Sequence, residues 1–204
     1  MKHISTRNIF VTFLLMAIAI TGIAQVSSGT IKYKVTHNWV KKVTAVEYMS
    51  QATKDHYNYV WGNRSEYEEY YKFIFSPSAS RYEQKNDGLE DSEYNFSWRS
   101  DEYIIYRNLG NKTSYDLMRY QGKLYVIEDS IHNQNWKIRN DVREIAGHIC
   151  MNAYWRDTIK MNDVMAWFAL DIPVSAGPES YGGLPGLILE INVNNGAMII
   201  STEK

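Results

Sequence analysis

The stretch DIPVSAGPESYGGLPGLILEINV, residues 171–193, decides how the rest of the chain is read. It holds three of the four prolines and four of the twelve glycines, then runs straight into an apolar strand. Pro185 and Gly186 have the form of a type II turn: proline presets φ at the second position and glycine takes a positive φ at the third. Leu184, preceding a proline, is pushed toward an extended backbone. Beyond the turn the side chains alternate, with Leu187, Leu189, Ile191 and Val193 on one face and Ile188, Glu190 and Asn192 on the other. Burying the first four contributes roughly 6–12 kcal/mol before ordering entropy is subtracted. Asn194-Asn195-Gly196 is a hairpin signal. A two-residue turn at Asn195-Gly196 sets Val193 opposite Met198 and Ile191 opposite Ile200, which extends the same apolar face.

Working upstream, the segments Ile145-Ala146-Gly147-His148-Ile149-Cys150-Met151-Asn152-Ala153, Ala166-Trp167-Phe168, Asp171-Ile172-Pro173 and Gly177-Pro178 precede Gly183-Leu184-Pro185-Gly186-Leu187-Ile188 in that order. This series resembles the GLPGLI family, exported proteins of Bacteroidetes-type bacteria, with His148 standing where an aromatic is usual. The resemblance implies export. It brings no established activity with it, so it assigns no reaction.

The remaining chain reads as strands. Residues 29–39 alternate, with Ile31, Tyr33 and Val35 against Lys32, Lys34 and Thr36. Residues 66–75 are aromatic, with 72–75 a strand that Pro77, Ser78 and Ser80 interrupt; residues 87–100 read as a charged loop. Strands at 103–108, 112–120 and 123–130 are separated by Leu109-Gly110-Asn111 and Gln121-Gly122, both suited to tight hairpins. A short strand at 136–139 precedes 148–156, whose partner at 161–170 is apolar on both faces, the mark of a covered central strand. Only residues 40–59 change period: Val40, Val43, Val46, Met49, Ala52 and His56 predict an amphipathic helix. The expected fold is mainly β (α+β): a curved antiparallel sheet or incomplete barrel of about eight to ten strands, the one early helix lying near its concave face. A closed barrel or a two-sheet sandwich is the alternative.

Residues 1–24 carry Lys2 and Arg7, an apolar run over 9–20 and the small-residue site Gly22-Ile23-Ala24, the arrangement of a signal peptide cut before Gln25. That apolar run falls short of the ~20 residues a spanning helix needs. The expected organisation is therefore a leader, 1–24, and one β-rich domain, 25–204, delivered to the periplasm, cell surface or medium, with no membrane span after leader removal. The balance of 22 basic and 23 acidic residues offers no footprint for nucleic acid. Cys150 is the only cysteine, so no internal disulfide forms. Sixteen tyrosines and six tryptophans suit half-buried pleated surfaces.

Chemistry-bearing patterns are sparse. The glycine-rich stretch 182–186 leads into a strand, whereas a phosphate cradle needs a helix N-terminus, so Gly177, Pro178, Gly183, Leu184, Pro185, Gly186, Leu187 and Ile188 are read as a structural corner. His148 and Cys150 share one strand face at about 6–7 Å, the spacing of two soft-metal ligands or of an activated thiol. Met151 points the other way, and a zinc site wants three or four ligands. Neither G-x-S-x-G nor H-E-x-x-H occurs, and the carboxylates at Glu66, Glu68, Glu69, Glu90, Asp91, Glu93, Asp101 and Glu102 are not paired by spacing. The aromatics of 67–75 and 98–106 are a candidate groove for peptide, glycan or lipid. The function expected is a non-catalytic binding module of the cell envelope, without cofactor, whose partner is an envelope protein, peptide or glycan. The alternatives are a thiol- or carboxylate-dependent hydrolase and a soft-metal binder using His148 and Cys150.

Overall fold

The computed structural model describes residues 26–84 and 103–203. The expected leader and the loop expected at 87–100 lie outside the described residues. Strand β1 (Gly29–Asn38) leads into helices α1 (Trp39–Thr44) and α2 (Gln51–Trp61) and a 3-10 turn, Gly62–Arg64. Strands β2 (Glu66–Phe75), β3 (Ala79–Gln84), β4 (Tyr103–Asn108), β5 (Thr113–Tyr120) and β6 (Lys123–Ser130) follow. The chain continues through β7 (Lys137–Ile145), β8 (His148–Asp157), β9 (Asn162–Ala169), β10 (Leu187–Val193) and β11 (Met198–Thr202). All eleven strands form one sheet in the order β6-β5-β4-β3-β2-β1-β11-β10-β9-β8-β7, and it does not close. Two antiparallel meanders, β1–β6 and β7–β11, thus join through the first and last strands, where Val35 faces Ile200. No helix among the described residues is long and apolar enough to cross a membrane.

Alternation places one buried row along the inner face. Tyr33 and Val35 of β1, Tyr71, Phe73 and Phe75 of β2, Tyr82 of β3, Ile105 of β4, Val164, Ala166 and Phe168 of β9, Ile191 of β10 and Ile200 of β11 belong to a single core. Tyr71 and Tyr82 stack with ring centroids 4.6 Å apart. Residues 171–186 pack onto this core. Ile172, Val174, Ala176 and Leu184 turn into the core, while Asp171, Pro173 and Ser175 stay exposed. The Leu187 and Ile188 N–H groups donate to the carbonyls of Ile172 and Ala176, each at 3.0 Å, and the Tyr33 hydroxyl donates to the Ile188 carbonyl.

Six expectations are corrected. Among the described residues the strand count is eleven because β3, short and polar at Ser80, Arg81 and Glu83, is read from sequence only as an interruption. The single helix over 40–59 is two helices, because Ser50 accepts the Thr53 N–H at 3.2 Å and starts α2 afresh after residues 45–49. Neither helix buries a residue, so the segment that contributes buried side chains to the core is 171–186 and not a helix. Strand β9 is only partly covered on its second face: Met165 is 37% exposed, while Trp167 packs against the core and Ala169 is buried. The alternation expected in β10 is broken by a register shift between Ile188 and Glu190, and Leu187, Ile188 and Leu189 are all buried.

The last correction concerns the corner. Gly186 does not have a positive φ, so the type II turn is absent; the left-handed glycine is Gly183, at φ 83°. Gly186 is required for a different reason. A Cβ there would lie 1.9 Å from the Ala169 carbonyl oxygen at the end of β9. By contrast, the last hairpin has the expected register: Val193 faces Met198 and Ile191 faces Ile200, with Asn194, Asn195 and Gly196 at positive φ.

Candidate functional site

The apex of the 171–193 stretch is where chemistry-bearing side chains converge. Tyr181 N–H donates to the Pro178 carbonyl at 3.1 Å, Glu179 sits at φ 50°, and Ala176 bridges to Gly182. This tight turn directs four successive carbonyls at side chains from elsewhere in the fold. The Arg107 guanidinium donates from Nη2 to Glu179 and from Nη1 to Tyr181 at 2.9 Å. Gln134 Nε2 donates to Ser180 at 2.9 Å, and Trp136 Nε1 donates to Gly182 at 2.8 Å. The Gly182 N–H is taken as well, by Gln134 Oε1 at 3.1 Å. Backbone carbonyls outside regular structure must be accounted for one by one, and here side chains donate to all four. Gly183 lies so close to Asn133 that a Cβ would come within 2.8 Å of its side chain.

Arg107 reaches this position because β4 alternates. Ile105 and Arg107 share the inner face, and Arg107 faces two small residues, Ser80 of β3 and Ser114 of β5. Its residue exposure is 5%, and burial lowers its pKa from the ordinary arginine value against the pull of Asp116 and Glu179. Beside it, the β4–β5 hairpin, residues 131–133 and the signature segment enclose a cleft of about 330 Å³, with Arg107, Lys112, Asn133, Ser175 and Gly182 among its lining.

The residues singled out from sequence divide. Gly177, Pro178, Leu184, Gly186, Leu187 and Ile188 are buried, Gly183 is half-buried and Pro185 is exposed, so that group is a packed corner. His148 and Cys150 are not brought together as a site. The His148 ring turns its Nδ1 to Asp171 Oδ2 at 2.7 Å, while Cys150 is fully buried and its thiol donates to the His148 carbonyl at 3.5 Å. Burial, helped by the Asp171 charge, pushes the Cys150 thiol up to about 11, the opposite of an activated nucleophile. Among the described residues no three His, Cys, Asp or Glu side chains converge to hold a metal. His148 instead borders a second hollow of about 360 Å³, whose cation Lys32 is paired with Glu203 at 2.6 Å. The aromatic groove expected at 67–75 is largely core, since Tyr71, Phe73 and Phe75 are buried. Sequence reasoning passed over Arg107, Lys112, Asn133, Gln134 and Trp136. A signal existed for Arg107, a cation two residues from Ile105 on an apolar strand face.

A family model described as "Protein of unknown function (Porph_ging)", a Bacteroidetes-associated name, matches residues 155–190, from the end of β8 through β9 and the signature segment into β10. No curated protein matches the chain. The sheet is similar to part of PNGF-II as solved in the C2 space group, with a TM-score of 0.57 at 13% identity, covering 88% of this chain and 27% of that one. The P21 structure of PNGF-II gives 0.58 at 13% identity, with 88% and 28% covered. The chain therefore spans little more than a quarter of the length of these proteins, and at such identity the likeness is one of fold.

Proposed function

We propose that this chain is an exported cell-envelope protein of the GLPGLI family, and that it acts as a non-catalytic binding module whose recognition site is the cleft beside the signature segment. One observation carries the binding role: the wall of the cleft is held in place before any ligand arrives, because the carbonyls of residues 179–182 all accept hydrogen bonds from Arg107, Gln134 and Trp136. A wall fixed in advance lowers the ordering cost of association. Family membership is supported by the signature and by the Porph_ging match over residues 155–190. Export is supported by the composition of residues 1–24. The buried, high-pKa Cys150 weighs against a thiol-dependent hydrolase.

The test is site-specific photocrosslinking in the native envelope. A photoreactive residue at Ser175, which is exposed and lines the cleft, is compared with one at Lys34, on the opposite face of the sheet. A discrete adduct at Ser175 that is missing at Lys34 is the expected result. Equal labelling at both positions, or none at Ser175, contradicts the assignment. Intact mass of the exported form is expected to begin at Gln25.

A further inference from the structure

We propose that the cleft binds an organic carboxylate, with the acid group held by Arg107 and Lys112 and its carbon body against Leu109, Ile131 and Val174. The inference rests on the reading of this cleft as the binding site and names the chemistry of its ligand.

The first argument is an unbalanced buried charge. A guanidinium taken out of water is ordinarily matched by a carboxylate, because the desolvation cost is several kcal/mol per ion. Of the two buried acids among the described residues, Glu69 lies 3.2 Å from His37 and 3.0 Å from the Tyr71 hydroxyl, and Asp157 accepts the N–H groups of Ile159 and Lys160. Arg107 does not follow that rule. Its acceptors are two neutral carbonyls, which leaves three of its five N–H groups without an acceptor among the described residues. Asp116 and Glu179 act on it only from beyond ion-pair distance, and Asp116 accepts from the Ser114 hydroxyl at 3.0 Å. The cavity borders this same side chain.

The second argument is the make-up of the lining. Lys112, held in the β4–β5 hairpin at φ 56°, brings a second cation that has no carboxylate partner among the described residues. Asn133 and Ser175 add neutral donors, and among the described residues no aspartate or glutamate lines the cleft. The field inside is therefore positive, and the low-dielectric walls focus it.

The third argument separates carboxylate from phosphate. Phosphate sites are built from runs of free backbone N–H groups at a helix N-terminus or nest. Here no helix ends at the cleft, and the Gly182 N–H is already bound to Gln134. A fork of guanidinium N–H groups matches a planar carboxylate. The apolar part of the lining and a volume of about 330 Å³ suit a short acyl chain or the terminal residue of a peptide.

The full folded protein is titrated at low ionic strength with N-acetyl-leucine, N-acetyl-leucinamide, butyrate and inorganic phosphate. Binding is followed by calorimetry and by the NMR signals of the Arg107 side-chain N–H groups and of residues 131–133 and 175. The expected result is saturable binding of the acid, at least tenfold weaker binding of the amide, and a loss of at least threefold in Lys112→Gln with its melting temperature unchanged. Arg107→Lys is expected to lose tenfold or more; should that variant fail to fold, Lys112→Gln still decides. Butyrate matching N-acetyl-leucine assigns a free acid, and N-acetyl-leucine alone assigns a peptide end. Amide and acid binding equally at the cleft overturns the carboxylate but leaves the binding module standing. Phosphate saturating while both acids stay inert, or Lys112→Gln binding the acid like the wild type, overturns it too. Probes that move no cleft signal remove both readings.

Discussion

Residues 171–186 and residues 39–61 both interrupt the strand pattern, and the structure treats them in opposite ways. The second stretch is mostly regular helix, properly capped at Asn38 and Ser50, yet buries nothing. The first has no helix and no strand, yet supplies Ile172, Val174, Ala176 and Leu184 to the core. Its polar backbone is satisfied by side chains from β4 and from residues 134–136. Regular hydrogen bonding therefore does not tell which segment closes this sheet. Apolar burial together with side-chain donors to irregular carbonyls does.

The comparison breaks most readily at Gly186. Gly186→Val drives a branched side chain into the Ala169 carbonyl, so β9 and β10 must separate. We expect a loss of about 3–5 kcal/mol in urea denaturation, or no folded protein at all. A variant as stable as the parent would show that the corner does not close on β9.

Trp136→Phe keeps most of the ring packing against Trp155 and Tyr181 but leaves the Gly182 carbonyl without its donor. An unsatisfied buried acceptor costs about 1–3 kcal/mol, and the same denaturation series reads it. The drop should be smaller than for Gly186→Val and well clear of zero.

The buried thiol adds a pH dependence on the same side of the comparison. Cys150 ionises near 9 when unfolded, but burial holds it protonated in the fold to about 11. The unfolded chain thus binds fewer protons across that window, so stability is intact below about pH 9 and falls as pH rises toward 11. Cys150→Ala should flatten the decline between pH 8.5 and 9.5, before unfolded tyrosines titrate at about 10. A thiol reagent should label Cys150 at neutral pH only after unfolding.

The smallest effect belongs to the other region. Tyr59 on α2 is 91% exposed, so Tyr59→Ala should change stability by less than about 0.5 kcal/mol. A loss comparable with that of Trp136→Phe would mean that the helices cover something after all.

What could be read in advance was local. The strand bounds at β4 and β6 follow from alternation and from Leu109-Gly110-Asn111 and Gln121-Gly122 between the strands. The β10–β11 register follows from the asparagine-glycine turn and from the need to keep Ile191 and Ile200 on one face. What escaped depended on partners distant in the chain. β3 is too polar to announce itself and becomes a strand because β2 and β4 flank it. The need for glycine at 186 comes from a carbonyl on β9, which no turn rule contains. Arg107 was passed over although it is a cation on an apolar strand face, because the carbonyls of 179 and 181 and the cleft beside them exist only once the signature segment has folded back across the sheet.

Native-state hydrogen exchange tests most directly the claim that this irregular segment closes the core. The amides of Leu187 and Ile188, bonded to Ile172 and Ala176, should exchange only through openings within about 1 kcal/mol of global unfolding, whereas those of residues 55–60 in α2 should open at about 0–2 kcal/mol. Leu187 and Ile188 exchanging as fast as α2 would contradict the account.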